Sequence, residues 1–286
     1  MAVACVSTSR EGKVPRHIVC LTFDFDTQSG FIARGMTSPT MLSRGEFGLI
    51  GAQRILALLK SHGIRATWFV PGFTIESHPR ACEALLPDGH EVAHHSWAHI
   101  PPAQQTRAEE EADLVRANDA IARLTGRKAR GYRSPSWDLS ESTVDLLLAH
   151  GFLYDSSLMA DDYRPFRPRI GDRVLRQEPL ERGREARLWE LPMSFELDDW
   201  PHFQFNFLPY RRGLAPPSAV LEIWQGEFDW MHEREDGGVL TVCMHPQVIG
   251  RGHRMAMLER FVGHCRDAGA TFERLVDVAR RLPERG

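Results

Sequence analysis

An ionised carboxylate left unpaired inside an apolar strand costs several kcal/mol, and the run Ile18-Val19-Cys20-Leu21-Thr22-Phe23-Asp24-Phe25-Asp26 ends in two of them. So short a run of apolar and β-branched residues reads as a strand covered on both faces. Its acids then belong at the C-terminal mouth of the strand, where both can point at one ligand. Asp24 and Asp26 are two residues apart, so extended backbone sends both side chains to the same side.

The pattern repeats along the chain. Apolar runs at 66–70, 90–94, 131–133, 152–155, 188–192 and 239–244 are separated by helical spacing at 46–62, 80–86, 106–124, 140–150, 217–232 and 255–268. This alternation predicts a parallel α/β fold. About seven or eight such units favour a closed or nearly closed barrel, with its active site at the C-terminal strand ends. A doubly wound open sheet is the alternative, although no Gly-x-Gly-x-x-Gly follows the first strand. Residues 27–45 read as a long loop over the strand mouth, and the Arg- and Pro-rich stretch 161–187 as an irregular insertion. Composition shows no break, so residues 1–286 are expected to form one domain, with 1–16 as a flexible N-terminal segment.

A formal net charge of -3 gives no electrostatic reason to expect nucleic acid or an anionic membrane as partner. No apolar run reaches the roughly 18 residues of a membrane span. Ala2 to Val6 is too short and too poorly flanked for a secretory segment. A cytoplasmic protein without nucleic-acid or membrane partners is the expectation. The five cysteines are odd in number, scattered, and contain no Cys-x-x-Cys, so neither a thiolate zinc cluster nor a redox motif is suggested. Cys20 and Cys243 lie in strand-like runs and read as small buried hydrophobes.

Polar groups collect at one topological level. Asp24, Asp26, His95, His99, Arg133 and His245 all follow strand-like runs on the C-terminal side. The spacing of His95 and His99 places two imidazoles on one side of a helical turn. With Asp26 they make a three-ligand set for a divalent ion that leaves a fourth position open. Zn²⁺ suits this set first, while Co²⁺, Mn²⁺ and Fe²⁺ also fit. His90 and His94 repeat the spacing inside a strand, where His94 must point away from His95, so both read as structural or solvent-facing. Trp189, Trp200, Phe203, Phe205 and Phe207 are candidates to wall a substrate pocket, against the plainer reading of core packing. Asp199, beside Asp198, divides between a substrate contact and loop solvation. Trp137 reads as packing beneath the site, and Asp155 as a supporting acid or a turn cap.

Taken in order, Thr22-Phe23-Asp24-Phe25-Asp26, His95-Ser96-x-x-His99, Arg133-Ser134-Pro135-Ser136-Trp137 and Met244-His245-Pro246 resemble the successive motifs of the polysaccharide deacetylases, carbohydrate esterase family 4. The resemblance implies a distorted (β/α) barrel of about seven parallel strands. It implies Asp26, His95 and His99 as metal ligands, Asp24 as general base and His245 as general acid. Arg133 would hold and tune Asp24, and the backbone N–H of Ser136 would help bind an oxyanion. Two departures stand out. Phe25 separates the two aspartates, and Thr27-Gln28 follows where Gly-Pro is commonest. Trp189-Glu190-Leu191-Pro192, Asp198-Asp199-Trp200-Pro201 and His245-Pro246-Gln247 are similar to a subgroup with allantoinase-like and cyclic imide-hydrolysing enzymes and peptidoglycan deacetylases. Some allantoinase-like members lack the second metal histidine, whereas this chain keeps His99.

The resemblance thus implies a metal-dependent hydrolase of non-peptide C–N bonds. A small cytosolic cyclic imide or ureide is the first expectation for its substrate, and an N-acetylated sugar or peptidoglycan the alternative. A catalytically inert barrel that binds sugar or metal is the third. Ser136, Trp189, Asp199 and Trp200 are the expected substrate contacts. The aromatic loop beside the mouth leaves room for a neighbouring subunit, so a homo-oligomer is among the expected assemblies.

Overall fold

The computed structural model describes residues 17–205 and 213–283, so the expectations for segment 1–16 and for Phe207 fall outside the described residues. Strands β1 (Ile18–Asp24), β2 (Thr67–Val70), β3 (Glu91–His94), β4 (Gly131–Tyr132) and β5 (Tyr154–Asp155) fall within the apolar runs or end on them. Inside the insertion, β6 (Arg169–Ile170) and β7 (Arg184–Glu185) pair as an antiparallel hairpin, so 161–187 is less irregular than its composition suggests. Strands β8 (Trp189–Glu190), β9 (Val239–Met244) and β10 (Thr271–Phe272) complete the set.

The main sheet is parallel throughout, in the spatial order β9-β1-β2-β3-β4-β5-β8. Strand β10 pairs with the first two residues of β1, while β2 takes its last three. The gap between β8 and β9 is bridged where Asp198 pairs with Cys243 and the Cys243 N–H donates to the Leu197 carbonyl at 2.9 Å. These seven strands form a distorted (β/α) barrel.

Strand periodicity separates two cores. Val19, Leu21 and Phe23 belong to the larger cluster, between sheet and helices, where Phe23 stacks on Trp68 with centroids 4.6 Å apart. Cys20 packs with Phe69, Ala93, Tyr154 and Leu191 in the smaller, inner cluster. Thr22 and Asp24 share the inner side with Cys20, and both receive hydrogen bonds from Arg133.

The helix expected from Glu46 begins earlier, at Pro39, and runs to Ser61. Ser38 caps it by accepting from the Met41 N–H, and Pro39 occupies the first turn. Apolar periodicity misses its first two turns because its buried side includes Gly45, Gly48 and Gly51 rather than large side chains. A Cβ on Gly51 would stand 2.0 Å from the Pro246 carbonyl oxygen, and one on Gly45 2.4 Å from that of Thr27. The glycines therefore let this helix lie directly against the backbone of two catalytic-side loops. In the helix Arg107–Thr125, Leu114, Ala117, Ala120 and Ile121 form the buried stripe, while Val115 is exposed.

Gly51→Ala should separate propensity from packing. Helix propensity favours Ala by about 1 kcal/mol, whereas overpacking costs about 1–3 kcal/mol. Urea unfolding should show a net loss of stability. A gain would mean that the backbone approach is not tight.

Candidate active site

Segments leaving β1, β3 and β4 carry most of the polar groups, and His245 follows β9. Five non-glycine residues have left-handed backbone among the described residues: Thr27, Ser96, His99, Ser136 and Trp137. All lie in the segments after β1, β3 and β4. Such conformations cost about 1–3 kcal/mol each and persist where surrounding contacts over-determine them. The β3 loop shows how. The Ser96 N–H donates to His94 Nδ1 at 3.1 Å, and the His99 N–H to Ser96 Oγ at 2.9 Å. Asp113 accepts from the N–H groups of Trp97 and Ala98. His94 Nε2 donates to the Leu114 carbonyl at 3.0 Å, so His94 is a buried structural group. His90 is buried too, its Nδ1 accepting from the Ala66 N–H.

This loop brings His95 and His99 onto Asp26. His95 Nε2 lies 3.4 Å from Asp26 Oδ1, and His99 Nε2 lies 3.4 Å from Asp26 Oδ2. His95 Nδ1 donates to the Arg133 carbonyl at 2.8 Å, which in the neutral ring leaves Nε2 as the lone-pair nitrogen. Burial holds His95 below its ordinary pKa despite Asp24 and Asp26, favouring that neutral form. Burial would raise the Asp26 pKa, but His99 and His95 hold it well below the usual carboxylate range. Asp26 Oδ1 is buried with no hydrogen-bond donor. A lone-pair nitrogen facing an unsatisfied carboxylate oxygen calls for a cation between them, so the donor set fits a divalent metal.

Among the described residues, two other clusters bring three such groups within 4.8 Å of one another, Asp24 with Cys243 and His245, and Asp198 with Asp199 and His245. Neither offers comparable ligands. Burial pushes the Cys243 thiol well up, so it stays protonated and donates to Asp24 Oδ2 at 3.5 Å. Cys243 is thus part of the polar site rather than a simple apolar filler. Asp199 is already engaged with His245, its oxygens accepting from His245 Nδ1 at 2.8 Å and from the His245 N–H at 3.0 Å.

Arg133 sits behind Asp24, wholly buried. Its Nη1 donates to Asp24 Oδ1 at 2.8 Å and Thr22 Oγ1 at 2.9 Å, and its Nε donates to the Ser156 carbonyl. Burial favours the neutral form of Asp24, but Arg133, His95 and His245 outweigh it and keep the carboxyl ionised. Asp24 Oδ2 lies 3.7 Å from His95 Nε2 and 3.9 Å from His245 Nε2. Burial also opposes the charged form of His245, yet Asp198 and Asp199 raise its pKa to about 10.

Asp24, Asp26, His95, His99 and His245 floor a cavity of about 190 Å³ walled by Trp137, Phe195, Trp200 and Arg34. Ser136 and Trp200 therefore stand where substrate contacts were expected. Trp137 lines the cavity instead of packing beneath it, its ring 5.0 Å from that of Phe195. Arg34, at the C-terminal end of a short helix Ser29–Ala33 that follows β1, donates to Ser136 Oγ at 3.1 Å and lies over Trp200. Two expectations are corrected. Asp199 is fully buried behind His245 and does not line the cavity. Trp189 opens β8 at its N-terminal end, under the Arg167 guanidinium, beside a separate cavity with Arg130 and Arg187. Phe203 belongs to the core. Arg34, Phe195, Cys243 and Asp113 had no periodic or motif signal to mark them.

A family model described as polysaccharide deacetylase matches residues 11–154, and the chain belongs to that family. A peptidoglycan deacetylase of Helicobacter pylori is 35% identical over 261 residues, 86% of this chain and 89% of the relative. A peptidoglycan deacetylase-like protein of Gibberella zeae is 26% identical over 280 residues, 89% and 82% of the two chains. Among solved structures, a polysaccharide deacetylase-type protein of Mycobacterium smegmatis superposes with TM-score 0.78 at 29% identity, covering 100% of this chain and 97% of the other. An allantoinase superposes with TM-score 0.76 at 23% identity over 93% and 90%, which shows a shared fold.

Removing the Arg133 charge should expose its role. Arg133→Met leaves Asp24 buried and unpaired, which costs about 3–5 kcal/mol at neutral pH. The depressed Asp24 pKa contributes stability above its unfolded value of about 3.9, lost as pH falls through the folded pKa. The difference between wild type and variant, measured by denaturant unfolding, should shrink in acid. A difference independent of pH would contradict the pairing.

Proposed function

We propose that this protein is a metal-dependent N-deacetylase of N-acetylated amino sugars of the peptidoglycan type. The carrying observation is the convergence of Asp24, the Asp26–His95–His99 set and His245 on one small cavity. Similarity to peptidoglycan deacetylases over most of the chain supports this substrate class over the cyclic imide or ureide expected first. A cytoplasmic location is retained as part of the proposal, and implies soluble sugar fragments as substrates.

Asp26, His95 and His99 would hold the ion, which would supply Lewis-acid polarisation of the amide carbonyl and a more acidic water. Asp24 Oδ1 is occupied by Arg133, so Oδ2, whose only donor among the described groups is the weak Cys243 thiol at 3.5 Å, is the oxygen that accepts the proton of the attacking water. The Ser136 N–H, in the strained loop at the cavity wall, is offered to the oxyanion of the tetrahedral intermediate. His245 carries a proton at neutral pH, and its Nδ1 is held by Asp199, so Nε2 delivers that proton to the departing nitrogen. C–N cleavage then releases acetate and the free amine. The cavity admits an acetamido group, with Trp137, Phe195 and Trp200 as apolar surface for a sugar ring.

Acetate release from N-acetylglucosamine oligomers is the deciding assay, with succinimide-like rings as the competing substrates. Ring opening without acetate release would restore the imide reading. Asp24→Asn should lower kcat by about 10²–10⁴-fold while leaving metal content unchanged by elemental analysis. An inert binding barrel would show no turnover in either protein. Asp199→Asn removes a group that raises the His245 pKa. His245 then loses its proton at lower pH, so the alkaline limb of the kcat profile should move toward neutrality. An unmoved limb would remove His245 from the acid role.

A further inference from the structure

Strands β5 and β8 pair Asp155 with Glu190, two fully buried acids that neither line the cavity nor enter the chemistry above. Glu190 Oε1 accepts from the N–H groups of Ser157 and Leu158 at 2.7 and 2.9 Å. Asp155 Oδ1 accepts from Ser157 Oγ at 2.7 Å. The other two oxygens, Asp155 Oδ2 and Glu190 Oε2, are buried and take no donor from any other described group. The paired register places the two carboxyls side by side, which makes each the hydrogen-bonding neighbour of the other. A hydrogen bond between two carboxyl oxygens requires a proton on one of them, because ionised carboxylates only accept. Arg133, the nearby guanidinium, is spent on Asp24, Thr22 and Ser156.

We propose that Asp155 and Glu190 share one proton, and that this singly protonated pair, with one negative charge between the two acids, anchors the turn from which the catalytic loop is hung. The connection is continuous. Ser157 Oγ, fixed by Asp155, accepts from the Ser134 N–H at 2.9 Å. The adjoining Ser156 holds Arg133 through its carbonyl and hydroxyl oxygens at 2.9 and 3.1 Å. Ser134 leads into the left-handed pair Ser136 and Trp137, and Arg133 sets Asp24. One pair of acids thus fixes both the base and the oxyanion loop, and both acids are positioning residues. Burial raises the Asp155 pKa to about 6 and that of Glu190 well above the carboxylate range, in keeping with a retained proton.

The kinetic part rests on the deacetylase reading, so the test has arms that do not. In the metal-loaded full chain at neutral pH, infrared spectroscopy should show a buried protonated-carboxyl band that Glu190→Gln removes. The amide of that variant donates to Asp155 and keeps accepting from Ser157 and Leu158. Its kcat for acetate release should stay within about threefold of wild type. Glu190→Leu lacks both functions and should lose about 10²-fold in kcat with little change in KM, the cost of misplacing catalytic groups by about 1 Å. Should Glu190→Leu fail to fold, Ser157→Ala cuts the link to Ser134 and should lower kcat in the same way. Absence of the band, Glu190→Gln as damaging as Glu190→Leu, or Ser157→Ala at full kcat would each overturn the proposal. If no sugar releases acetate, the deacetylase reading fails alone. The band then decides the proton, and the shift of the Ser134 amide resonance in Ser157→Ala decides the anchor.

Discussion

A guanidinium without solvent contact holds the centre of this barrel, and the geometry of the site follows from satisfying it. Removing Arg133 from water costs several kcal/mol. Offsetting that cost takes the Asp24 charge, the Ser156 carbonyl and two hydroxyls, with the Phe69 ring 4.1 Å away. These partners come from β1, β2 and the segment after β5, so one side chain fixes three elements relative to one another. Buried ion pairs contribute little net stability. The return is positional: one Asp24 oxygen is immobilised, and the other faces the cavity ionised.

The same logic explains the strained loops. Left-handed backbone at Thr27, Ser96, His99, Ser136 and Trp137 is tolerated because buried hydrogen bonds leave no relaxed alternative. His94 and Asp113 hold the β3 loop, while Ser157 holds the start of the β4 loop. Glycines on the helix Pro39–Ser61 bring helix backbone against the loops after β1 and β9. Stability is given up locally so that groups distant in sequence meet within hydrogen-bonding range.

Much of this was legible in the residues. Apolar runs located the strands, and polar groups that end such runs were bound to share the mouth of a parallel barrel. Asp24, Asp26, His95, His99, Arg133 and His245 are brought together there. Periodicity failed where burial uses glycine, as in the first turns of the helix from Pro39. It also failed where a side chain's role depends on a partner far along the chain. Asp199 looks like a loop acid until His245 is placed beside it, and Cys243 like a core filler until Arg133 and Asp24 arrive. Trp189 shares its strand with Glu190 but opens it, at the end away from the mouth.

The order of strands and helices, the strand-end acids and histidines, and the family motifs are properties of the chain read locally. They determined the parallel barrel and the residue types available for chemistry, because periodicity and strand-end placement act over a few residues. Tertiary structure decided which oxygen of Asp24 the guanidinium holds and which nitrogen of each histidine faces the cavity. It also decided that Asp155 and Glu190 meet. Those outcomes depend on burial and on partners more than a hundred residues apart for Arg133 and Asp24, and more than two hundred for Asp24 and His245. No local pattern specifies a field summed over the whole fold.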